Sequence, residues 1–215
     1  MCAEAIIPLF PLGVVLLPGM DLPLHIFEER YKELIKECLE RREEFGVVYY
    51  SGKMMLRVGC TATITEVLRN YDDGKIDILT VGKRRFMVEE LFEDKLYIEA
   101  RVEFFQDMHE AFDKRMEELV LRGTESLKQL NMVSDHKTNI QHIENSRPED
   151  LSFLIAATEG FTLEEKQKFL EMTSTRERLE KSIGSLENII ERLRLSQEIK
   201  RIFGRKDDSS ESMPL

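Results

Sequence analysis

The stretch Pro8–Tyr31 reads PLFPLGVVLLPGMDLPLHIFEERY, and its punctuation sets the architecture. Two short apolar runs, Ile6–Phe10 and Val14–Leu17, are broken by Pro8, Pro11, Pro18 and Pro23. Proline fixes φ and has no N–H to give a sheet, so runs punctuated this densely read as edge strands and turns. Pro18-Gly19 is a turn signal. From Glu28 the period changes. Tyr31, Leu34, Ile35, Cys38 and Leu39 recur at i, i+3, i+4, i+7 and i+8, which predicts a helix over about Glu28–Glu43 with one apolar face. Glu28/Lys32 and Glu37/Arg41 are expected i,i+4 pairs on its other faces.

Beyond this helix the pattern returns to β. Phe45–Tyr50 is a continuous apolar run, and Thr61–Leu68 has strand character. Asn70–Gly74 is a hairpin turn, from which Lys75–Val81 returns. Arg85–Leu91 and Leu96–Phe104 complete the strands, the last with Glu99, Arg101 and Glu103 as its wet face. Around Gln106–His109 the period becomes 3.6. Helices are expected over Ala111–Leu130, with Phe112, Met116, Leu119, Val120 and Leu127 on one side, and over Pro148–Thr158. Asn131–Arg147 is polar and reads as a loop. Thr162–Glu165 and Ser174–Glu177 are capping boxes that open Leu163–Glu171 and a final helix over about Thr175–Phe203. In that helix Leu179, Ile183, Leu186, Ile190 and Leu193 form a seam that needs a partner helix. The expected organisation is a β-rich unit with one inserted helix (5–107), a helical unit (108–206) and a disordered tail (207–215). The fold class is α+β.

Composition narrows the function. The net charge of −10 opposes a nucleic-acid surface, although Ser174–Lys206 is locally basic, with nine Lys/Arg against five Asp/Glu. No apolar run approaches the roughly 20 residues that cross a bilayer, and the N-terminus has no secretory pattern, so the expected location is the cytoplasm and no membrane is expected. Cys2, Cys38 and Cys60 are odd in number and widely spaced, and suggest neither disulfides nor a zinc site.

Catalytic patterns are lacking. Gly46–Met54 has one residue too many between its glycines for a phosphate-cradling loop, and Met54 stands where a hydroxyl is needed. No G-x-S-x-G and no H-E-x-x-H occurs, and His136 and His142 read as surface residues of a polar loop. No catalytic residue, cofactor or metal site is expected. What stands out is adaptable apolar surface. Tyr49 and Tyr50 precede the short connection Ser51–Arg57, which carries Met54 and Met55. Methionine and tyrosine suit surfaces that repack against varied partners. These four are the candidate polypeptide contacts, with core filling as the alternative.

The opening stretch closely resembles the start of the Lon protease N-terminal domain family, through Pro11, Leu12, Pro18, Gly19, Leu24, Ile26, Phe27, Glu28, Arg30 and Tyr31. Phe45–Val48, Val58–Ile64, Asp73-Gly74, Gly82–Phe86, Lys166–Glu171 and Arg176–Leu179 follow in the family's order. The resemblance implies a PUA-like pseudo-β-barrel with one inserted helix, followed by an all-α subdomain ending in a long helix. It also implies recognition of unfolded or damaged polypeptide, with the ATPase and protease modules of the full protease absent. Pro18, Gly19, Ile26, Phe27, Glu28, Arg30 and Tyr31 have a structural reading: a turn at Pro18-Gly19, an anchor for the helix in Ile26, Phe27 and Tyr31, a helix N-terminus favoured by Glu28, and a carboxylate partner for Arg30. A polypeptide-binding module predicts an exposed apolar groove where barrel and helices meet. The alternative is an assembly module with a fixed partner, or a homodimer formed through the last helix.

Overall fold

The computed structural model describes residues 4–134, 143 and 146–204. Cys2, His136, His142 and the tail 207–215 lie outside them. Among the described residues, six strands and five helices run in the order β1 (Glu4–Leu12), β2 (Asp21–Ile26), α1 (Glu29–Arg41), β3 (Phe45–Tyr50), β4 (Met55–Asn70), β5 (Ile76–Phe92), β6 (Glu99–Phe105), α2 (Lys114–Val133), α3 (Pro148–Ala157), α4 (Leu163–Glu171) and α5 (Thr175–Gly204).

The fold is α+β, and its sheet closes. The strand order β2-β5-β4-β3-β1-β6 is joined back on itself by pairing of β6 with β5. The long β5 makes this possible by serving two partners in succession: Ile76–Val81 pairs with β2, and Arg85–Phe92 pairs with β6. Among the described strands only β1 and β3 pair in parallel; their connection contains α1 and β2. The two strands expected over Lys75–Val81 and Arg85–Leu91 are therefore one. Gly82-Lys83-Arg84, which lies between the two expected strands, is itself part of β5.

Gly82 also gives the Pro18-Gly19 turn its place. Gly19 has φ of 76°, the left-handed region that glycine enters freely. Its N–H donates to the Gly82 carbonyl, and the Gly82 N–H donates to the Met20 carbonyl, both at 2.9 Å. A Cβ at position 82 would stand 2.2 Å from the Leu17 carbonyl oxygen. The turn and β5 thus approach this closely because no side chain separates them.

Alternation along the strands divides the core in two. Ile7, Leu9, Val48, Phe86, Val88, Ala100 and Val102 come from four strands of the ring and meet in one cluster, the barrel interior. Their neighbours Phe10, Phe45 and Val47 point the other way, into a larger cluster that also takes in α1 and the helical lobe. On α1, Tyr31, Leu34, Ile35 and Cys38 are buried as the apolar period requires, while Leu39, also expected on that face, is exposed. Ile26 and Tyr31 anchor the helix, but Phe27 does not: it is 57% exposed and stacks on His25 at 6.0 Å. Position 27 follows the last residue of β2, and the strand's alternation turns it outward once Ile26 is inward. The expected Glu37–Arg41 pair forms at 3.3 Å, whereas Lys32 turns to Glu29 at 2.8 Å.

In the helical lobe, α2 begins at Lys114, capped by Asp113, whose carboxylate accepts the Met116 N–H at 3.0 Å. Phe112 lies before the cap and is exposed, so it does not join the stripe expected for it. Asn131–Val133 extend α2 instead of starting a loop. The Thr162–Glu165 box is complete. At Ser174 half of the box forms: the hydroxyl accepts the Glu177 N–H, while the Glu177 carboxylate pairs with Lys181. The seam of α5 finds its partner within the chain. Leu179, Ile183, Leu186 and Ile190 are buried in the same cluster as Leu119, Leu127 and Leu130 of α2 and Leu151 and Ile155 of α3.

Barrel and helices are bolted together by a buried ionic cluster. Asp107 receives guanidinium N–H groups from both Arg85 and Arg178 and the hydroxyl of Thr175. Arg85 also donates to the Leu170 carbonyl at 3.1 Å, and Arg178 to the Ser152 hydroxyl at 2.7 Å. The Phe153 ring lies 3.8 Å from the Arg178 guanidinium carbon. Charge inside a protein is tolerated only when paired and fully hydrogen-bonded, which this arrangement achieves.

Candidate functional site

The site is built where β1 loses a neighbour. β6 pairs with Glu4–Pro8 of β1, and the Leu9 N–H makes a last bond to the Ile98 carbonyl at 2.8 Å. Past that point β1 continues along β3 as far as Leu12. Between Phe10–Leu12 and Leu96–Ile98 a groove of about 470 Å³ opens, with Glu28, Arg30, Tyr31, Tyr50 and Met55 completing its walls. Leu9 belongs to the barrel interior, and Met55 and Ile98 pack against it, so the groove sits at one mouth of the barrel.

Its surface is largely apolar and aromatic. Phe10 and Tyr31 stack with ring centroids 4.0 Å apart. The Tyr97 ring is buried, and its hydroxyl accepts from the Lys95 ammonium at 2.7 Å. Lys95 in turn reaches Glu37 on α1 and Glu99 on β6, each at 3.1 Å, which fixes the far wall to the helix. Burial raises the phenol pKa of both Tyr31 and Tyr97, so at neutral pH these are protonated surfaces and not nucleophiles. Arg30 and Glu28 pair with each other at 2.7 Å and neutralise the rim. Leu96, 68% exposed, and Tyr50, 42% exposed, leave apolar surface open to solvent there.

The sequence-derived candidates divide accordingly. Tyr50, Met55, Glu28, Arg30 and Tyr31 meet in the groove. Tyr49 packs against the core, and Met54 is 62% exposed on the tight turn closed by the Ser51 N–H to Met54 carbonyl bond at 3.1 Å. Pro18, Gly19, Ile26 and Phe27 are not among its lining residues. Pro11 and Leu12, which carry the family resemblance, also line the groove, whereas Phe10 and Leu96–Ile98 are not singled out in the sequence. Leu96–Ile98 reads as the start of the last strand, and only the pairing shows that it departs from β1. The groove expected where barrel and helices meet exists too, at about 650 Å³, but its rim carries Asp21, Lys83, Arg147 and Asp150. The groove that gathers the candidate residues has no helical-lobe residue in its lining.

The described residues assemble little reactive chemistry. Burial pushes both the Cys38 and Cys60 thiols up to about 12, where they stay protonated and inert. His25 of β2 meets Asp77 of β5 at 2.5 Å near the surface, against Phe27 and Tyr71. Among the described residues there is no cluster of three or more metal-ligating His, Cys, Asp or Glu, and no helix long and apolar enough to cross a membrane.

The fold is thus a closed mixed barrel with a helical lobe bolted to its flank and an open apolar groove at its mouth. Residues 6–188 match the family model of the ATP-dependent protease La (LON) substrate-binding domain, and the chain belongs to that family. Among curated relatives, Lon protease of Cytophaga hutchinsonii is 26% identical over 91% of this chain and 26% of its own length. Lon protease of Escherichia coli K12 is 24% identical over 95% of this chain and 27% of its own. The chain thus spans about a quarter of the length of these relatives. Two solved structures share the fold. The Lon N-terminal domain protein from Xanthomonas campestris matches at TM-score 0.67 and 21% identity, over 84% of this chain and 98% of that one. The N-terminal domain of the Mycobacterium avium complex Lon protease matches at TM-score 0.70 and 16% identity, over 85% and 98%. The part matched is the substrate-binding domain, not a protease or ATPase module.

Proposed function

We propose that this chain binds segments of unfolded or damaged polypeptide in the groove between β1, α1 and Leu96–Ile98, acting as an adaptor or holdase with no bond-breaking chemistry of its own. The carrying observation is an open, apolar, aromatic groove whose charged rim residues are already paired with each other. Such a surface gains from removing apolar side chains from water, at roughly 25 cal/mol per Å² buried, and discriminates little between sequences. Membership in a substrate-binding family supports the same reading. The net charge of −10 speaks for a polypeptide and not a nucleic-acid partner, and the setting we propose is the cytoplasm, away from membranes. Within it, residues 5–107 supply the groove and 108–206 brace it.

Fluorescence anisotropy with a labelled, reduced and carboxymethylated protein tests this. Saturable binding is expected at low salt, weakened at least fivefold by Leu96→Arg, whose site is exposed enough for folding to survive. No binding, or equal binding by the variant, rejects the groove as the site.

One observation favours a second reading, assembly with a fixed partner or a second copy. Leu195, Ile199 and Ile202 are exposed on the side of α5 opposite its buried seam. Sedimentation velocity decides the self-association branch: a monomer at all concentrations removes it.

A further inference from the structure

We propose that polypeptide enters the groove as an added β-strand, laid along the open edge of β1 at Phe10–Leu12. This rests on the reading of the groove as a polypeptide site and specifies how the ligand is held.

β1 has strand partners on both edges in turn, but not together along its whole length. β6 covers one edge as far as Pro8, and β3 covers the other over Leu9–Leu12. Successive strand residues direct their backbone groups to opposite edges. The Leu9 N–H points to the β6 side, because it bonds the Ile98 carbonyl there. Phe10 and Leu12 then face β3, and Pro11 faces the groove. Proline has a carbonyl and no N–H. The open edge therefore offers a hydrogen-bond acceptor without a donor.

That asymmetry selects the occupant. Two strands that pair exchange bonds in both directions. A second copy presenting the same proline edge has no N–H to give at that position, so this edge is protected against pairing with itself. An extended peptide from another chain supplies the N–H. In the strand pairing mode, backbone bonds hold the ligand and pockets receive alternate side chains. The floor for those side chains is the Phe10–Tyr31 stack with Tyr97 beside it. The paired Glu28 and Arg30 call for no opposite charge in the ligand. The open stretch covers about three residues, roughly 10 Å at strand rise. The ligand class is a short extended segment with uncharged apolar residues at alternate positions.

Backbone methylation tests the mode. The probe is a fluorescein-labelled heptapeptide alternating leucine and serine, read by anisotropy. One derivative is N-methylated at the leucine nitrogens, the other at the serine nitrogens. In an added strand only one of these sets faces β1 and the other faces away. Methylation of one set is therefore expected to weaken binding at least tenfold, and methylation of the other to change it less than twofold. Equal behaviour of the two derivatives, whether both bind or both fail, overturns strand addition while the parent peptide still reports polypeptide binding. Binding of the unfolded protein but not the parent peptide also overturns it. Failure of both the unfolded protein and the peptide overturns the underlying reading instead. Leu96→Arg is expected to weaken the parent peptide at least fivefold; unchanged affinity places the peptide elsewhere and overturns the proposal.

Discussion

Two glycines show how little a residue type says until its neighbours are known. Gly82 sits where a Cβ would stand 2.2 Å from the Leu17 carbonyl oxygen, with backbone on both sides of the contact and no flexible side chain to yield. Gly184 sits in α5 with nothing within 4 Å of its virtual Cβ. The same substitution should act with opposite signs. Gly82→Ala is expected to cost about 2 kcal/mol or more by overpacking, and to lower Tm by about 4–8 °C. Gly184→Ala should stabilise by up to about 1 kcal/mol, the helix preference for alanine over glycine. Thermal melts of the two variants beside the parent check both signs. The sequence foretold the second case, since Gly184 interrupts a helical period. It placed Gly82 only within an ordered motif, because the contact comes from a turn more than sixty positions earlier in the chain. Phe27 is the reverse case. Its type suggested an anchor, and its position one step beyond an inward Ile26 makes it exposed.

At the scale of elements, what the period of apolar residues could decide was legible. The Thr162 box, the Asn70–Gly74 hairpin and the buried face of α1 follow from local pattern, and each is found. What depended on who pairs with whom was not. The closure of β5 on β6, and the departure of Leu96–Ile98 from β1 that opens the groove, involve segments with ordinary strand composition. The α2–α5 pair lies between these extremes. A heptad-like seam on α5 announced a partner, and the structure supplies two, α3 and α2, the latter running parallel. Arg115 meets Glu180, Arg122 meets Glu187 and Gln129 meets Arg194, each contact seven residues after the last on both helices. This ladder fixes register, whereas the stability lies beneath it in the seam. Ile183→Ala, in the buried seam, is expected to cost about 2–5 kcal/mol through lost transfer energy and a cavity. Arg122→Ala breaks an exposed ion pair, worth about 0–1 kcal/mol. Urea titrations that returned similar losses for both would refute this division of labour.

At the scale of the molecule the question is whether barrel and helices are one folding unit. The larger core cluster runs without interruption from Phe10 and Ile26 through Val58 to Leu119, Leu151 and Ile183. Across it lies the one fully buried ionic cluster among the described residues, Arg85–Asp107–Arg178. Burial alone would raise the Asp107 carboxyl, but the bonds from Arg178 and Thr175 and the two guanidinium charges outweigh it, so the group sits below the ordinary carboxylate range. A carboxyl depressed on folding contributes stability that is complete above its unfolded value, about 3.9, and disappears as pH falls through its lower folded value. Asp107→Asn leaves two arginines buried without their counter-charge, at an expected cost of about 3–5 kcal/mol. It should also remove part of the acid sensitivity, so that its stability falls less steeply than the parent's below about pH 4. The composition provides separate reporters for the two halves. Tryptophan is absent and all five tyrosines, at 31, 49, 50, 71 and 97, lie in the barrel, so tyrosine fluorescence follows the barrel while ellipticity at 222 nm follows mainly the helices. In the parent the two signals should trace a single urea transition, the signature of one cooperative unit. In Asp107→Asn the transitions should separate, with one half unfolding at lower urea than the other. Separate transitions already in the parent would mean that the shared core and its ionic bolt do not couple barrel to helices, and that the groove is held by the barrel alone.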